Sequence, residues 1–302
     1  MNKETKGTLL AVLTAIISGI SIPANKYFIV TLDPLVFTAV RAVIIGAIFL
    51  LISSCISRSS HMKFRKVPWK YLIAIAIVGG SFAFWLFFAG LQLTTAGRAA
   101  FLEKSLPIYT AVLAFIFLKE RVSRKMSIAL LAMLIGTAII YFSQITPGPL
   151  WPNPSLGDLL VIIATIMWAT EDIISKKAMM LGETNFIISF ARMFFGGLIL
   201  FGVVILLGDL GALLVLSMQQ WTNILISTAL LFGYVLCWYW SLRYINVVKA
   251  TSILLFASVI SLVGGILAFG EPTPALQLIG SGVILIGGYF IIREKSEHRK
   301  NS

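Results

Sequence analysis

The segment Gln144–Gly157, with the sequence QITPGPLWPNPSLG, decides how the chain is organised. It contains four prolines and no charged residue, a composition typical of an extended linker. Long apolar runs, separated by short polar stretches, extend from it in both directions. We therefore predict two similar halves, 1–143 and 158–293, joined by an external linker at 144–157 and followed by a basic tail at 294–302.

The composition indicates a membrane protein. Of the 302 residues, 59% are hydrophobic and only 12% are charged, and the mean hydropathy is +0.96. Soluble domains are about 45–50% apolar and about 25% charged, because their surface must face water. This balance excludes a soluble enzyme, a disordered chain and a secreted disulfide-stabilised domain. It predicts a polytopic protein in a lipid bilayer.

Ten apolar runs have the roughly 20 residues that a helix needs to cross the hydrocarbon core. We predict helices because lipid leaves each backbone N–H and C=O group to pair within its own segment. The chain is thus predicted to be an all-α integral membrane protein of ten transmembrane helices. The predicted spans are 7–29, 35–54, 71–92, 97–118, 126–143, 158–178, 186–207, 222–242, 248–269 and 276–292.

Lysines and arginines collect on one side of this arrangement. With a cytoplasmic N-terminus, 19 of the 24 basic residues fall in segments predicted to face the cytoplasm, and Arg98 alone lies clearly outside. Basic residues favour cytoplasmic loops, so we predict a plasma-membrane protein with both termini in the cytoplasm. This bias accounts for the formal charge of +12, and we expect no nucleic-acid partner.

The two halves match at a nearly constant separation, which is 150 positions near the start of each half and 151 further on. Equivalent residues include Gly7 and Gly157, Arg41 and Arg192, and Glu120 and Glu271. Because each half has five spans, the second copy is inverted relative to the first. Inverted repeats are typical of secondary transporters, in which two similar halves enclose a site near the bilayer midplane.

These features resemble the EamA-type, ten-span branch of the drug/metabolite transporter superfamily. The resemblance covers nearly the whole chain and is carried by several short motifs in a fixed order. They are Arg41 early in span 2, Ser105-Leu106-Pro107 leading to Leu118-Lys119-Glu120, Gly157-Asp158-Leu159-Leu160, Phe269-Gly270-Glu271-Pro272, and the glycines of spans 5 and 10. One departure is Ser258, which stands where the repeat places the counterpart of Pro107.

The resemblance implies a bundle of five plus five helices around a central cavity lined mainly by spans 1, 3, 4, 6, 8 and 9. It also implies a small-molecule substrate and, most commonly, export of amino acids, metabolites or drugs by alternating access. Substrate identity and the coupling ion stay open at this stage.

Span 4 brings charged residues and a proline together. Glu103-Lys104 is followed by Pro107, which cannot donate to the carbonyl of residue 103. Charges within a span are costly unless they are paired or hydrated. We therefore predict that Glu103 and Lys104 contact substrate or a coupled proton and that Pro107 is a hinge. The alternative is a structural ion pair between Lys104 and an acid on another helix.

Span 6 contains Trp168, Glu171 and Asp172. Asp172 and Lys176 have the i, i+4 spacing of a helical ion pair, which favours a structural role for Asp172. Glu171 has no basic residue at i+4, so it is predicted to face the cavity more freely. We retain Trp168, Glu171 and Asp172 as candidates for substrate binding or proton coupling.

Aromatic residues cluster in spans 3 and 8, where Trp85, Trp238 and Tyr239 are candidates for an aromatic wall that stacks ligands or holds a cation. The alternative is lipid contact and packing. Arg41 and Arg192 occupy equivalent places at the starts of spans 2 and 7. This equivalence favours a structural role for both, by pairing with helix ends or lipid headgroups.

Two other functions stay open. A nucleotide-sugar or lipid-intermediate translocator of the same superfamily would need basic residues in the cavity. A membrane-embedded transferase would need clustered catalytic residues at one interface, whereas the acids here are few and near mid-depth. The chain has no phosphate-binding loop of the GxxxxGK[ST] type and no metal-ligand motif, and we predict no cofactor. Small residues in spans 5 and 10 suit close helix packing or a homodimer contact.

Overall fold

The computed structural model describes residues 2–28, 32–60, 69–143, 155–208, 211–269 and 274–294, and these residues form helices and short connections without a strand. Most of the predicted linker (144–154), Glu271 and the tail beyond 294 lie outside the described residues. The ten long helices are α1 (Lys3–Phe28), α2 (Pro34–Ser60), α3 (Trp69–Leu93), α4 (96–118), α5 (Arg124–Phe142), α6 (Leu156–Met180), α7 (Asn185–Leu207), α8 (Met218–Tyr244), α9 (247–269) and α10 (Ala275–Arg293).

All ten predicted spans form helices, and their ends lie within four residues of the predicted limits except that α2 continues to Ser60. Nine of the described helices are long and apolar enough to cross a membrane. The exception is α6, which carries more charged residues. Its 25 residues still reach about 37 Å, and the charged groups in its middle are buried within the protein.

Side-chain caps fix where helices begin. The Ser155 hydroxyl accepts a hydrogen bond from the backbone N–H of Asp158, and the Asp158 carboxylate accepts one from the backbone N–H of Ser155. Ser217 and Gln220 form the same reciprocal pair at the start of α8. These capping boxes satisfy N–H groups that the first turn of a helix leaves unpaired. At the C-terminal end of α4, Lys119 adopts a left-handed conformation with φ 55° and ends the helix.

The helices of the two halves are interleaved. Because α1 and α10 run in opposite directions, Lys3 and Arg293 lie on one face, here called the termini side; Leu156 lies on the other, the linker side. α1 packs along α8 and α3 packs along α6. A Cβ at Gly7 would meet Tyr244, and a Cβ at Gly157 would meet Leu93. These are equivalent contacts in the two halves, as an inverted repeat requires.

α5 and α10 pack against each other. A Cβ at Gly136 would lie 2.6 Å from the carbonyl oxygen of Gly280, and one at Gly280 would lie 2.6 Å from that of Gly136. The glycines that suited either close packing or a dimer contact are therefore used within the molecule at these positions. Gly282 has nothing within 4 Å of its Cβ position.

α4 and α9 are both interrupted near their middle. In α4 the helix stops at Glu103 and restarts at Leu106, and in α9 it stops at Ile253 and restarts at Phe256. Each interruption is a tight turn with hydrogen bonds from residue i+3 to residue i. Only α4 has a proline next to the turn, so the second interruption forms although Ser258 replaces the proline.

Candidate central cavity

A cavity of about 240 Å³ lies inside the bundle. Side chains from α1–α4 and α6–α9 line it, whereas α5 and α10 contribute none. The resemblance implied six main lining helices, and α2 and α7 add one arginine each to them. The polar and aromatic lining residues are Ser18, Ser21, Asn25, Arg41, Phe84, Glu103, Lys104, Trp168, Asp172, Arg192, Ser227, Tyr234, Trp238 and Thr251.

The interrupted part of α4 forms one wall. Lys104 Nζ lies 3.7 Å from Glu103 Oε2, and both side chains line the cavity with Pro107. The helix interruption brings these sequence neighbours together, although successive residues of a regular helix point about 100° apart. Lys104 is therefore paired with its own neighbour and not with an acid on another helix.

Asp172 lies on the cavity wall, although its spacing to Lys176 favoured a structural ion pair. Its Oδ1 accepts a hydrogen bond of 3.0 Å from the indole N–H of Trp238. The expected Asp172–Lys176 pair is not formed, because Lys176 Nζ donates instead to the backbone carbonyls of Leu242 and Ile245 at the end of α8. Asp172 is thus held by an aromatic donor while it faces the cavity.

Aromatic side chains surround this acid. Trp238 stacks against Tyr234 with ring centroids 6.3 Å apart, and Trp168 meets the ring of Phe84 edge to face. All four line the cavity. The buried indole nitrogen of Trp168 has no hydrogen-bond partner among the described residues. Trp168 therefore has a donor next to the cavity that no described residue satisfies.

Glu171 lies behind the cavity wall. Its side chain is fully buried, Arg192 Nη1 lies 3.3 Å from Oε2, and the hydroxyls of Tyr239 and Ser175 donate to Oε1 at 2.7 and 2.5 Å. Gly79 of α3 allows this position, since a Cβ there would overlap the Glu171 side chain. The i+4 argument left Glu171 unpaired, but its partner comes from α7.

Two further predicted residues do not line the cavity. Tyr239 is fully buried, and its hydroxyl donates to Glu171 Oε1 at 2.7 Å and accepts from Arg192 Nη1 at 3.3 Å. Trp85 is 37% exposed and contacts the ring of Phe82. The two tryptophans of the wall, Trp168 and Trp238, come from α6 and α8.

The two equivalent arginines both reach the cavity. Arg192 is paired with Glu171 and belongs to a π turn of α7 (Ala191–Phe195). Arg41 donates to the hydroxyls of Ser227 and Thr38 at 2.6 and 3.3 Å and to the carbonyl of Phe37 at 3.3 Å. Sequence reasoning assigned both to structural roles. The signal that it missed is Glu171 in the span before Arg192, since a buried acid needs a basic partner from another helix.

Polar contacts close the termini side below the cavity. The carboxylate of Glu120 accepts the N–H of Val247 at 3.0 Å, and Arg243 donates to Asn185 at 3.1 Å. Burial raises the pKa of Glu120 above its ordinary value of 4.5, while Lys176 and the N–H groups at the start of α9 lower it in part. Burial also raises the pKa of Glu183. These contacts join the end of α4 to the start of α9 and the end of α8 to the start of α7.

One ion pair on each side joins helices at their first turns. On the linker side, Arg98 at the start of α4 lies 3.6 Å from Asp158 at the start of α6. On the termini side, Lys249 at the start of α9 lies 3.2 Å from Glu4 at the start of α1. Lys249 and Arg98 are equivalent in the repeat. No cluster of three or more His, Cys, Asp or Glu residues suited to a metal occurs in the described part of the chain.

Comparison with known proteins agrees with this architecture. An uncharacterized transporter of Archaeoglobus fulgidus is 26% identical over 96% of this chain and 100% of its own length. The uncharacterized transporter YyaM of Bacillus subtilis is 25% identical over 90% of this chain and 89% of its own. A solved crystal structure at 15% identity superposes with a TM-score of 0.77 over 96% of this chain and 99% of that one, which shows a shared fold.

The model of the EamA-like transporter family matches the chain twice, at residues 5–142 and 155–293. The two matches correspond to the two sets of five helices described above. They confirm the resemblance to the drug/metabolite transporter superfamily. With both halves matched, the chain is a multi-pass membrane protein of the EamA-like transporter family.

Proposed function

We propose that the protein is a secondary transporter of small organic solutes, that it exports them, and that it works by alternating access. The observation that carries this proposal is a cavity in the interior of the bundle, lined by both inverted halves and equipped with charged and aromatic side chains. A site shared by two inverted repeats can open to either side when the halves exchange conformations.

The location of the cavity supports alternating access. Its α1 residues, between Ser18 and Asn25, belong to the second half of that helix, and Arg41 lies two turns into α2. Both positions are nearer the linker side. The termini side is closed by the contacts of Glu120 and Lys176. Arg192 and Thr251, by contrast, lie within about two turns of the termini-side ends of α7 and α9. We infer that the cavity reaches toward both sides and that the termini-side contacts must open for it to reach that side.

We propose roles for the wall residues on this basis. Asp172 and the Glu103–Lys104 pair contact the polar groups of the solute, and Trp168 and Trp238 hold its apolar part. Glu171 and Tyr239 act as positioning residues, because they hold Arg192 at the wall. Pro107 adjoins the interruption of α4 and is proposed as its hinge. Trp85 is not on the wall, and we propose no role for it in solute binding.

Proton coupling belongs to the same proposal. Glu171 and Asp172 are neighbours in α6, both are buried, and Arg192 is the basic group paired with Glu171. Two carboxylates beside one guanidinium leave one negative charge uncompensated when both are ionised. A proton taken up by Asp172 would remove that charge, and its release would accompany the change of state.

We propose a plasma-membrane location with the termini side in the cytoplasm. The support is the distribution of lysines and arginines, since basic residues favour cytoplasmic loops. In this orientation, export requires a state in which the termini-side contacts open to the cytoplasm.

The cavity size favours a small solute over a nucleotide sugar. Three basic residues, Arg41, Lys104 and Arg192, do line the cavity, as the alternative translocator would need. Two of them are already paired with carboxylates. The volume of about 240 Å³ lies below the range of about 300–1,000 Å³ found for sites of drug-sized ligands.

Counterflow in proteoliposomes tests the proposal. Liposomes loaded in turn with amino acids, polyamines, nucleosides or cationic drugs are diluted into the labelled solute. We expect accumulation with at least one class, and a loss of about tenfold or more in Asp172→Asn. The matched control, Glu183→Gln, changes a buried acid outside the cavity and is expected to retain transport. Absence of exchange across the whole panel, with folded protein, would overturn the proposal.

A further inference from the structure

Arg41 differs from the other basic side chains of the cavity in having no acidic partner. Lys104 and Arg192 have a carboxylate oxygen at 3.7 and 3.3 Å. Within the described residues, Arg41 contacts hydroxyls, a backbone carbonyl and the ring of Phe37, which lies 3.9 Å below the guanidinium. The residue is only 7% exposed. No carboxylate of the described residues therefore lies within ion-pair distance of this buried charge.

The internal repeat explains what is missing. Arg41 and Arg192 are separated by 151 positions, and equivalent residues of α1 and α6 by 150. The counterpart of Glu171 in the first half is therefore Ser21. Ser21 also lines the cavity, but its hydroxyl donates to the carbonyl of Ile17 and carries no charge. The first half thus has the arginine of the pair without the acid.

Further donors lie beside Arg41. Ser227 accepts a hydrogen bond from Arg41 Nη1 at 2.6 Å and donates its own proton to Asn25 Oδ1 at 2.6 Å. Because Oδ1 of Asn25 accepts this hydrogen bond, the NH₂ group of the same amide is left as a donor. Asn25, Arg41 and Ser227 all line the cavity. The cluster joins α1, α2 and α8 and presents hydrogen-bond donors to the cavity.

A buried guanidinium without a carboxylate is unfavourable, and its planar fork suits the two oxygens of a carboxylate or phosphate. We propose that the transported solute carries an oxyanion, a carboxylate or a phosphate, that binds Arg41 in the place that Glu171 occupies at Arg192. This inference rests on the proposed function and gives the substrate class of the same cavity. Export of the solute would leave Arg41 uncompensated until the next anion binds.

Matched pairs of solutes test the inference on the purified full-length protein. The probes are glutamate and glutamine, phenylalanine and phenylalaninamide, succinate and succinamide, and glycerol 3-phosphate and glycerol. Binding is measured by thermal stabilisation as a function of concentration. We expect the anionic member of at least one pair to bind about tenfold or more tightly than its neutral counterpart, as for loss of a charge-assisted hydrogen bond. The carboxylate pairs and the phosphate pair distinguish the two kinds of oxyanion.

Two sets of variants assign the preference to Arg41. Arg41→Gln is expected to bring the affinity ratio of each pair close to one, and Arg243→Gln, an arginine outside the cavity, to retain it. Ser21→Glu supplies the missing acid from the protein and is expected to abolish the preference, whereas Ser21→Gln, of the same size, retains it. The Ser21 pair gives an answer even where Arg41→Gln does not fold.

Three outcomes would overturn the inference: equal binding of anions and their neutral counterparts, no binding by any anion of the panel, or identical behaviour of Ser21→Glu and Ser21→Gln. Counterflow on the same samples separates this result from the proposed function. Exchange of neutral or cationic solutes without an anion preference would support the proposed transport function and contradict the oxyanion inference. Anion binding at Arg41 without exchange would support the oxyanion inference and contradict the proposed transport function.

Discussion

Glu171 and Arg192 are buried charges that depend on each other. The carboxylate is fully buried, and its ligands are the guanidinium and the hydroxyls of Tyr239 and Ser175. Removing one partner of such a pair leaves the other as an uncompensated charge, whereas removing both does not. The pair therefore stabilises the arrangement of α6, α7 and α8 chiefly by avoiding this penalty.

The first prediction concerns this pair. We expect Glu171→Gln to lower the free energy of unfolding by about 3 kcal/mol, the cost of breaking a buried ion pair. The double variant Glu171→Gln/Arg192→Gln is expected to lose less than the two single variants together. Thermal unfolding of the four purified proteins, followed by tryptophan fluorescence, measures the coupling. Additive effects would mean that the two side chains contribute independently.

The second prediction concerns Glu120 and pH. Burial raises the pKa of this carboxyl above 4.5 in the folded protein, so the folded state binds the proton more readily than the unfolded chain does. The resulting stabilisation is fully present below about pH 4.5 and is lost as the pH rises through the folded pKa. We expect the melting temperature of the unmodified protein to fall more steeply over this interval than that of Glu120→Gln. Parallel pH profiles would contradict the assignment.

At the scale of whole helices, the paired interruptions of α4 and α9 separate what proline does from what packing does. In α9 the N–H of Ser258 donates to the carbonyl of Leu255, and the interruption forms without a proline. The sequence predicted a hinge at Pro107 in α4 but gave no signal for the interruption in α9. Because both halves have the interruption at equivalent positions, its place is a property of the fold. In α4, Pro107 reinforces it.

The third prediction concerns the contact between α5 and α10. A Cβ at Gly280 would lie 2.6 Å from the carbonyl oxygen of Gly136, so Gly280→Ala must push the helices apart. We expect a loss of about 1–3 kcal/mol, as for other overpacked sites. Gly282→Ala, two residues away with open space around its Cβ, is the matched control. It is expected to be neutral or slightly stabilising because alanine favours a helix. Equal melting temperatures would argue against close packing.

For the molecule as a whole, the sequence was sufficient to predict the ten helices, because length, hydropathy and loop charge determine which segments cross a bilayer. It was not sufficient to determine how each helix is rotated. Glu171 and Asp172 are adjacent in α6, yet only Asp172 lines the cavity. That difference depends on Arg192 and Gly79, which lie on other helices. For the same reason, nothing in the sequence indicated that Arg41 lines the cavity.

The fourth prediction addresses movement of the two halves. If transport requires the termini side to open, joining α1 to α9 there must stop it. In a background without Cys55 and Cys237, Glu4→Cys/Lys249→Cys replaces an ion pair of 3.2 Å, and a short bifunctional thiol reagent then joins the two helices. Ser123→Cys/Glu294→Cys is the control, since these residues are also in contact on the termini side, at 2.6 Å.

The two crosslinks differ in which helices they restrain. Both crosslinks join helices of different halves, but α1 and α9 line the cavity, whereas α5, and α10 which ends just before Glu294, line none of it. We therefore expect the α1–α9 crosslink to reduce counterflow by about tenfold or more, and the α5–α10 crosslink to leave most of it. Unchanged transport with α1 and α9 joined would mean that solutes pass without separation of these helices. A bundle that needs no such separation would behave as a pore, and its flux would then continue in the crosslinked protein without dependence on solute loaded on the opposite side.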